Sequence, residues 1–428
     1  MAYYLHMTGE RVEISTLNNL PISPFFKGMP LASQGKTFND FLATKPNLFD
    51  SNFQFPIAIL KAEALRNNLD RMQDFCNEMS IDICPHVKTT MSPQIAKMQV
   101  DRGAWGITVA NFYQAGVFLN FGFERIIIAN EVMDLSAIQQ IAKENLNPQV
   151  QIIFYLDSWE GLRVAEEAIE KLPEGKLYLL IEVGAANGRA GLRNVEEVLP
   201  LTQAIKKNPR LNLLGVSGFE GVLPVENRSP AGSAALRAFC QKMVEAGKII
   251  SDELGNPEVI LTAGGSAYFD IVIEELRKYG KSGHIIIRSG GYISHDHGGY
   301  ELTYPFAGQG EGKTFIPAIE LWAKVISHPE PTLAILNLGK RDVGNDAGEP
   351  MPIKHVTSVD PTVKPFHAVV DHLNDQHGYL VLDRENAASV GDLIGMGISH
   401  PCTTFDKWRL MALVNEFYEV VDFIHTFF

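Results

Sequence analysis

Eight short apolar runs, each followed by a stretch of helical periodicity, constrain this chain more than any other feature. The runs fall at 83–87, 105–109, 125–129, 151–156, 177–183, 212–218, 258–262 and 284–288. Helical stretches at 93–102, 111–119, 135–144, 158–171, 193–207, 232–253 and 267–279 fill the gaps. Strands that are apolar without alternation are buried on both faces, which a parallel sheet covered by helices provides. Eight such units over roughly 220 residues fit a (β/α)8 TIM-type barrel. A doubly wound open sheet is the competing arrangement, but no Gly-x-Gly-x-x-Gly turn follows a strand here.

A barrel places its chemistry at the C-terminal ends of the strands, with phosphate held by the loops after strands seven and eight. Lys88 stands at the first such end, in Cys84-Pro-His-Val-Lys-Thr-Thr-Met-Ser-Pro93. Ser92-Pro93 reads as a helix cap with proline at the first helical position. A lysine here either snorkels to solvent or is buried because its amine is used. After the seventh run comes Thr262-Ala-Gly-Gly-Ser266, expected to open a helix at Ala267, and after the eighth Ser289-Gly-Gly-Tyr292. Paired glycines make turns, and they also let backbone N–H groups approach an anion. The two pairs fall at the two phosphate positions of a barrel. With Lys88 they point to pyridoxal phosphate bound through the lysine amine.

Beyond residue 300 short strand-like runs at 321–326, 332–338, 366–370, 379–382 and 393–396 are split by Gly, Pro, Asp and Asn, as in a mostly antiparallel β-domain. The expected division is an N-terminal extension at 1–54, the barrel at 62–300 and a β-domain at 301–428 that also takes the strand at 55–61. In Ile398-Ser-His-Pro-Cys-Thr-Thr404, His400 and Cys402 are two apart and share a face of an extended chain. Imidazole and thiolate suit Zn2+, and two protein ligands leave positions open for substrate. A buried cysteine beside a hydrogen-bonded histidine is the plain alternative. His377 is a candidate further ligand or supporting partner; His295 and His297 have ligand-like spacing but crowd the phosphate loop.

Pro-His-Val-Lys-Thr (85–89), Gly-Gly-Ser (264–266), Gly-Gly-Tyr (290–292), Gln-His-Gly (376–378) and His-Pro-Cys-Thr (400–403) together resemble the D-serine dehydratase and D-threonine aldolase family. Its members are fold-type III, alanine racemase-like enzymes. The resemblance runs from about Phe55 to about Arg409. It implies that Lys88 carries the cofactor and that His400 and Cys402 bind the metal. From the two glycine loops Gly264, Gly265, Ser266, Gly291 and Tyr292 are the expected cofactor contacts, and Arg189, in Gly-Arg-Ala-Gly after strand five, either reaches the cofactor or substrate carboxylate or forms a structural ion pair. It also implies a homodimer in which one subunit's β-domain closes the other's barrel. The aldolases resemble this chain less at Cys402, where they carry aspartate, so dehydration of a D-amino acid is the expected activity. Retro-aldol cleavage, racemisation and cofactor binding without catalysis are the rivals. Where the family has Lys-Thr-His-Lys the chain has Lys88-Thr-Thr-Met91, and where Tyr-x-Gly is common it has Phe219-Glu-Gly221. Glu220 is therefore a candidate partner of the pyridine ring.

The formal charge of −13 argues against nucleic acid and anionic membrane as partners. Cysteines at 76, 84, 240 and 402 are too few and scattered for a disulfide framework. With no signal-like stretch at Met1 to Ile14, a cytoplasmic protein with reduced thiols is expected.

Overall fold

The computed structural model describes residues 11–223, 228–309, 313–385 and 387–428. The chain enters on β1 (Ile57–Lys61) and then builds eight strands: β2 (Asp82–Ile83), β3 (Ile107–Val109), β4 (Arg125–Glu131), β5 (Gln151–Leu156), β6 (Leu177–Val183), β7 (Leu211–Gly218), β8 (Ile260–Ala263) and β9 (His284–Ile287). All neighbours among these eight are parallel, in the order β2-β9-β8-β7-β6-β5-β4-β3. A parallel bridge between His86 and Thr108 closes the circle. There the Thr108 N–H donates to the Pro85 carbonyl at 2.8 Å and its hydroxyl to the Cys84 carbonyl at 2.6 Å.

Alternate residues point inward, as strand geometry requires. Cys84, Ile127, Ile153, Tyr155, Leu180, Ile260 and Ile286 fill the barrel interior. The residues between them meet the helix ring, where Ile126, Ile152, Leu179 and Leu261 are fully buried. The runs at 151–156 and 177–183 match β5 and β6 residue for residue. The first run does not: β2 ends at Ile83, because Pro85 has no N–H and the chain turns into a 3-10 helix at Val87–Thr89. The next helix, Pro93–Asp101, is capped by Ser92, whose hydroxyl accepts from the Ile95 N–H. The helix expected at Ala267 begins instead at Phe269.

After the barrel come β10 (Ile319–Glu330), β11 (Leu333–Leu336), β12 (Met351–Val356), β13 (Lys364–Pro365), β14 (Ala368–Leu373), β15 (Gly378–Leu382), β16 (Leu393–Gly397), β17 (Leu410–Val414) and β18 (Val420–His425). With β1 they form a ten-stranded sheet in which β1 lies between β10 and β17. Register shifts in β10 let it pair β16 along one half and β11 along the other. Phe26, Phe38, Phe41 and Phe53 of the N-terminal segment pack on Ile57, Trp322 and Phe423 of this sheet, so residues 11–54 are part of the body. Residues 1–10 of the expected N-terminal extension lie outside the described residues. Among the described residues, no helix is long and apolar enough to cross a membrane.

His425 on β18 is 1% exposed, neither ring nitrogen has a hydrogen-bond partner, and its ring stands edge-on to Phe38 at 5.0 Å. Burial lowers its pKa to about 4. The unfolded chain takes up that proton near 6.5, so between these values the unfolded state binds more protons. The stability contributed is whole above 6.5 and is lost as pH falls towards 4, by up to about 1.4 kcal/mol per pH unit. His425→Phe is therefore expected to reduce the fall in melting temperature between pH 7 and pH 5. An unchanged fall would show that His425 does not titrate across this range.

Candidate active site

At the C-terminal mouth of the barrel lies a cavity of about 340 Å³ whose wall joins the barrel loops to the loop after β16. Lys88, Arg189, Ser266 and Gly291 line it from the barrel, and His400 and Cys402 from the β-domain. Residues hundreds of positions apart thus share one wall.

The Lys88 amine is pressed below its ordinary pKa by burial. The positive charges of Arg189 and Arg288 act in the same direction, and the Cys402 sulfur opposes them. Lowering the pKa of a lysine eases loss of its proton to give the free base, the form that attacks a carbonyl or accepts a proton.

Arg288 was hidden in sequence at the end of an apolar run, where it counted only as a strand residue. Its signal was register: two positions past the inward Ile286, it also points inward. It is 6% exposed, donates to the Thr262 hydroxyl at 2.7 Å and the Gly218 carbonyl at 2.6 Å, and pairs with no carboxylate among the described residues. A buried cation without a counter-ion is costly unless a ligand supplies negative charge or an acceptor.

The glycine loops behave differently from the sequence expectation. The N–H groups of Gly264 and Gly265 donate to the two carboxylate oxygens of Glu220, at 3.1 and 2.5 Å. Glu220 is fully buried and both its oxygens are engaged, which removes it as the partner of a pyridine ring. The N–H groups of Ser266 and Gly290, also on the cavity wall, have no partner among the described residues. The Ser266 hydroxyl accepts from the Gly291 N–H at 3.2 Å, and the Ser289 hydroxyl donates to the Gly265 carbonyl at 2.9 Å, so the two loops are tied together. Tyr292 turns its ring away from the cavity, and its hydroxyl accepts from Gln99 at 2.9 Å.

Pyridoxal phosphate fits these residues. His86 Nδ1 and the hydroxyls of Tyr155 and Tyr300, all on the wall, are buried without a well-formed hydrogen bond. Such groups are normally satisfied, so their gathering at one cavity marks a missing polar ligand. A Cβ at Gly290 would collide with the His86 backbone and one at Gly291 would crowd the Ser266 hydroxyl at 3.0 Å, so both positions need glycine to keep the cradle open.

His400 and Cys402 form the other half of the wall. Cys402 opens a short helical turn, Cys402–Phe405, rather than continuing an extended strand, yet both side chains reach the cavity. The hydrogen bond with Cys402 lifts the His400 imidazole to about 9 against the effect of burial, and Asp346 adds to the rise. Burial pushes the Cys402 thiol up, but hydrogen bonds from His400 and Thr89 outweigh it and hold the thiol below its ordinary value. The Thr89 hydroxyl is 3.3 Å from the sulfur. A depressed thiol beside an imidazole is the donor chemistry of a zinc site, and a metal would take the place of their shared proton. Among the described residues no third His, Cys, Asp or Glu joins them.

His377 is exposed in the turn between β14 and β15 and is not among the residues lining the cavity. His295 and His297 are core residues. His295 Nε2 lies 2.9 Å from Glu301, its ring sits among Tyr300 and Tyr304, and burial lowers its pKa to about 3. Burial likewise lowers His297 to about 4.

Asp346, in the loop after β11, was not foreseen. Its carboxylate meets His400 Nδ1 at 2.6 Å and the Thr403 hydroxyl at 2.6 Å. A carboxylate on one imidazole nitrogen fixes the tautomer and aims the other nitrogen at the metal. If His400 and Cys402 hold zinc, Asp346→Ala should weaken that binding by about 10- to 100-fold, measured by competition with a chromogenic chelator. Unchanged affinity would assign Asp346 to the loop alone.

The comparisons with known proteins agree with this geometry. Residues 60–272 match the family described as "Alanine racemase, N-terminal domain", and 318–414 the one described as "Putative serine dehydratase domain". A 3-hydroxy-D-aspartate aldolase of Paracoccus denitrificans (strain Pd 1222) is 22% identical over 373 residues, 85% of this chain and 89% of that protein. The crystal structure of D-threonine aldolase from Filomicrobium marinum superposes with a TM-score of 0.74 at 21% identity, over 88% of this chain and 95% of that one. A D-threo-3-hydroxyaspartate dehydratase with one cysteine replaced by alanine, in the metal-free form, gives 0.70 at 20% identity, over 89% and 99%. The chain thus carries an alanine racemase N-terminal domain followed by a serine dehydratase-type domain in an alanine racemase-like fold, and its similarity runs to aldolases and dehydratases of D-amino acids.

Proposed function

We propose that this protein is a pyridoxal phosphate- and zinc-dependent D-amino acid dehydratase, converting a D-β-hydroxy amino acid such as D-serine or D-threonine to a 2-oxo acid and ammonia. The observation that carries this reading is the meeting of Lys88 with His400 and Cys402 on one cavity wall. The amine serves Cα and the His–Cys pair serves the β-hydroxyl.

In this reading Lys88 anchors the cofactor, with phosphate on the Ser266 and Gly290 N–H groups and the ring beside Arg288. When bound, the cofactor lowers the cost of negative charge at Cα. Lys88, low in pKa, takes the α-proton, and Arg189 holds the substrate carboxylate. A zinc ion on His400 and Cys402 would polarise the β-hydroxyl, which is otherwise a poor leaving group. Cα–H and Cβ–O break, hydroxide leaves, and the released enamine hydrolyses to 2-oxo acid and ammonia, so that water lost is regained.

A second reading has support of its own. The aldolase relative matches nearly the whole chain, which favours Cα–Cβ cleavage to glycine and an aldehyde. Cys402 favours elimination, since aspartate stands there in the aldolases that the sequence resembles. Product analysis on D-serine, D-threonine and 3-hydroxy-D-aspartate decides. Ammonia with 2-oxo acid supports the proposal; glycine with aldehyde transfers it to the aldolase reading.

We further propose a cytoplasmic homodimer. Its support is four free thiols and the half-exposed or more exposed Tyr113, Met133 and Trp159 beyond β3, β4 and β5, at the rim where a second subunit would sit. A monomer by light scattering would refute the dimer.

A further inference from the structure

We infer that Glu220 is a positioning residue that sets the phosphate-binding turn from behind; this rests on the pyridoxal phosphate reading. Glu220 opens a 3-10 turn, Glu220–Val222, just after β7. It is fully buried and absent from the cavity wall, whereas Gly264, Gly265 and Ser266 are on it. Both hydrogen bonds of its carboxylate, among the described residues, come from the N–H groups of Gly264 and Gly265. A buried carboxylate held only by backbone donors is an unusual expense, and it buys the direction of those donors.

With two successive N–H groups drawn backwards, the next one, at Ser266, is left for the cavity. Gly264 has φ +90°, a conformation closed to most side chains. A side chain on Gly265 would meet the Phe219 ring at 2.8 Å and the Glu220 carboxylate at 3.2 Å. This packing leaves no space for phosphate on the Glu220 side, so the carboxylate is a clamp and does not stand in for the ligand. The Ser289 and Ser266 hydroxyls then fasten the clamped turn to the neighbouring loop.

The inference makes a prediction of definite sign. Were Glu220 merely a negative charge near the phosphate, Glu220→Gln would tighten cofactor binding by removing repulsion. As a clamp, Glu220 needs two acceptor oxygens. Glutamine offers one oxygen and turns an NH2 donor towards the other N–H, so the turn loosens. Apo protein is titrated with pyridoxal phosphate and, separately, with pyridoxal, following absorbance. Glu220→Gln should raise the Kd for pyridoxal phosphate at least 10-fold and change that for pyridoxal little. Amide exchange at 262–268 should also quicken. Should that variant fail to fold, Ser289→Ala, which cuts the second tie, should show the same selective loss. Wild-type protein that binds no pyridoxal phosphate would overturn the cofactor reading itself. Wild-type binding with equal or tighter binding by Glu220→Gln would overturn only the clamp.

Discussion

Lys88→Ala should purify colourless and lose activity by at least about 10³-fold, the scale set by removing a nucleophile that also acts as the base. The wild-type protein, reconstituted with pyridoxal phosphate, should show an absorbance band near the visible edge. Borohydride should fix the label on the peptide holding Lys88. The expectation follows from position: Lys88 is the lysine on the cavity wall, among the described residues, and burial keeps its amine below the ordinary pKa. Lys88→Arg should not rescue, because a guanidinium stays protonated. A label on another lysine, such as the half-buried Lys242, would move the site. Lys242 donates to the carbonyls of Gly184 and Leu192, which marks it as structural.

Cys402→Ser should lower elimination from D-serine by about 10²- to 10³-fold while leaving the cofactor bound. A hydroxyl is a far weaker zinc ligand than a thiolate, and serine cannot share the proton that Cys402 shares with His400. His400→Ala should behave alike. Cys402→Asp keeps an anionic ligand and should retain part of the metal, raising aldol cleavage relative to elimination. Metal content is read by atomic absorption and cofactor by absorbance, so the two losses are separated. Full activity in Cys402→Ser would make the His–Cys pair structural and favour the racemase reading.

The barrel was legible in sequence because its strands are buried on both faces and so write themselves as unbroken apolar runs. Leu177–Val183 is the clearest case. The β-domain was legible only in part. Met351–Val356 carries Pro352, Lys354 and His355 and has no clean period, whereas Leu410–Val414 is an unbroken apolar run. Lys88, His400 and Cys402 were readable because each sits in a compact motif. Asp346 was not, since it meets His400 from a separate loop 54 residues away and only tertiary structure joins them. The Gly264–Gly265 pair misled for a similar reason. Sequence shows that two N–H groups are accessible, but not that a buried carboxylate from the turn after β7 already holds them.

The central claim is that the metal acts on the leaving group while Lys88 acts at Cα. It is tested most directly by giving metal-depleted, cofactor-loaded enzyme two substrates that differ only at the β-carbon. D-Serine must lose hydroxide, which needs a Lewis acid or a well-placed proton donor. β-Chloro-D-alanine loses chloride unaided. The account predicts that chelation abolishes pyruvate from D-serine, leaves pyruvate from β-chloro-D-alanine, and that added zinc restores the first. Full turnover of D-serine by the metal-depleted enzyme would contradict it.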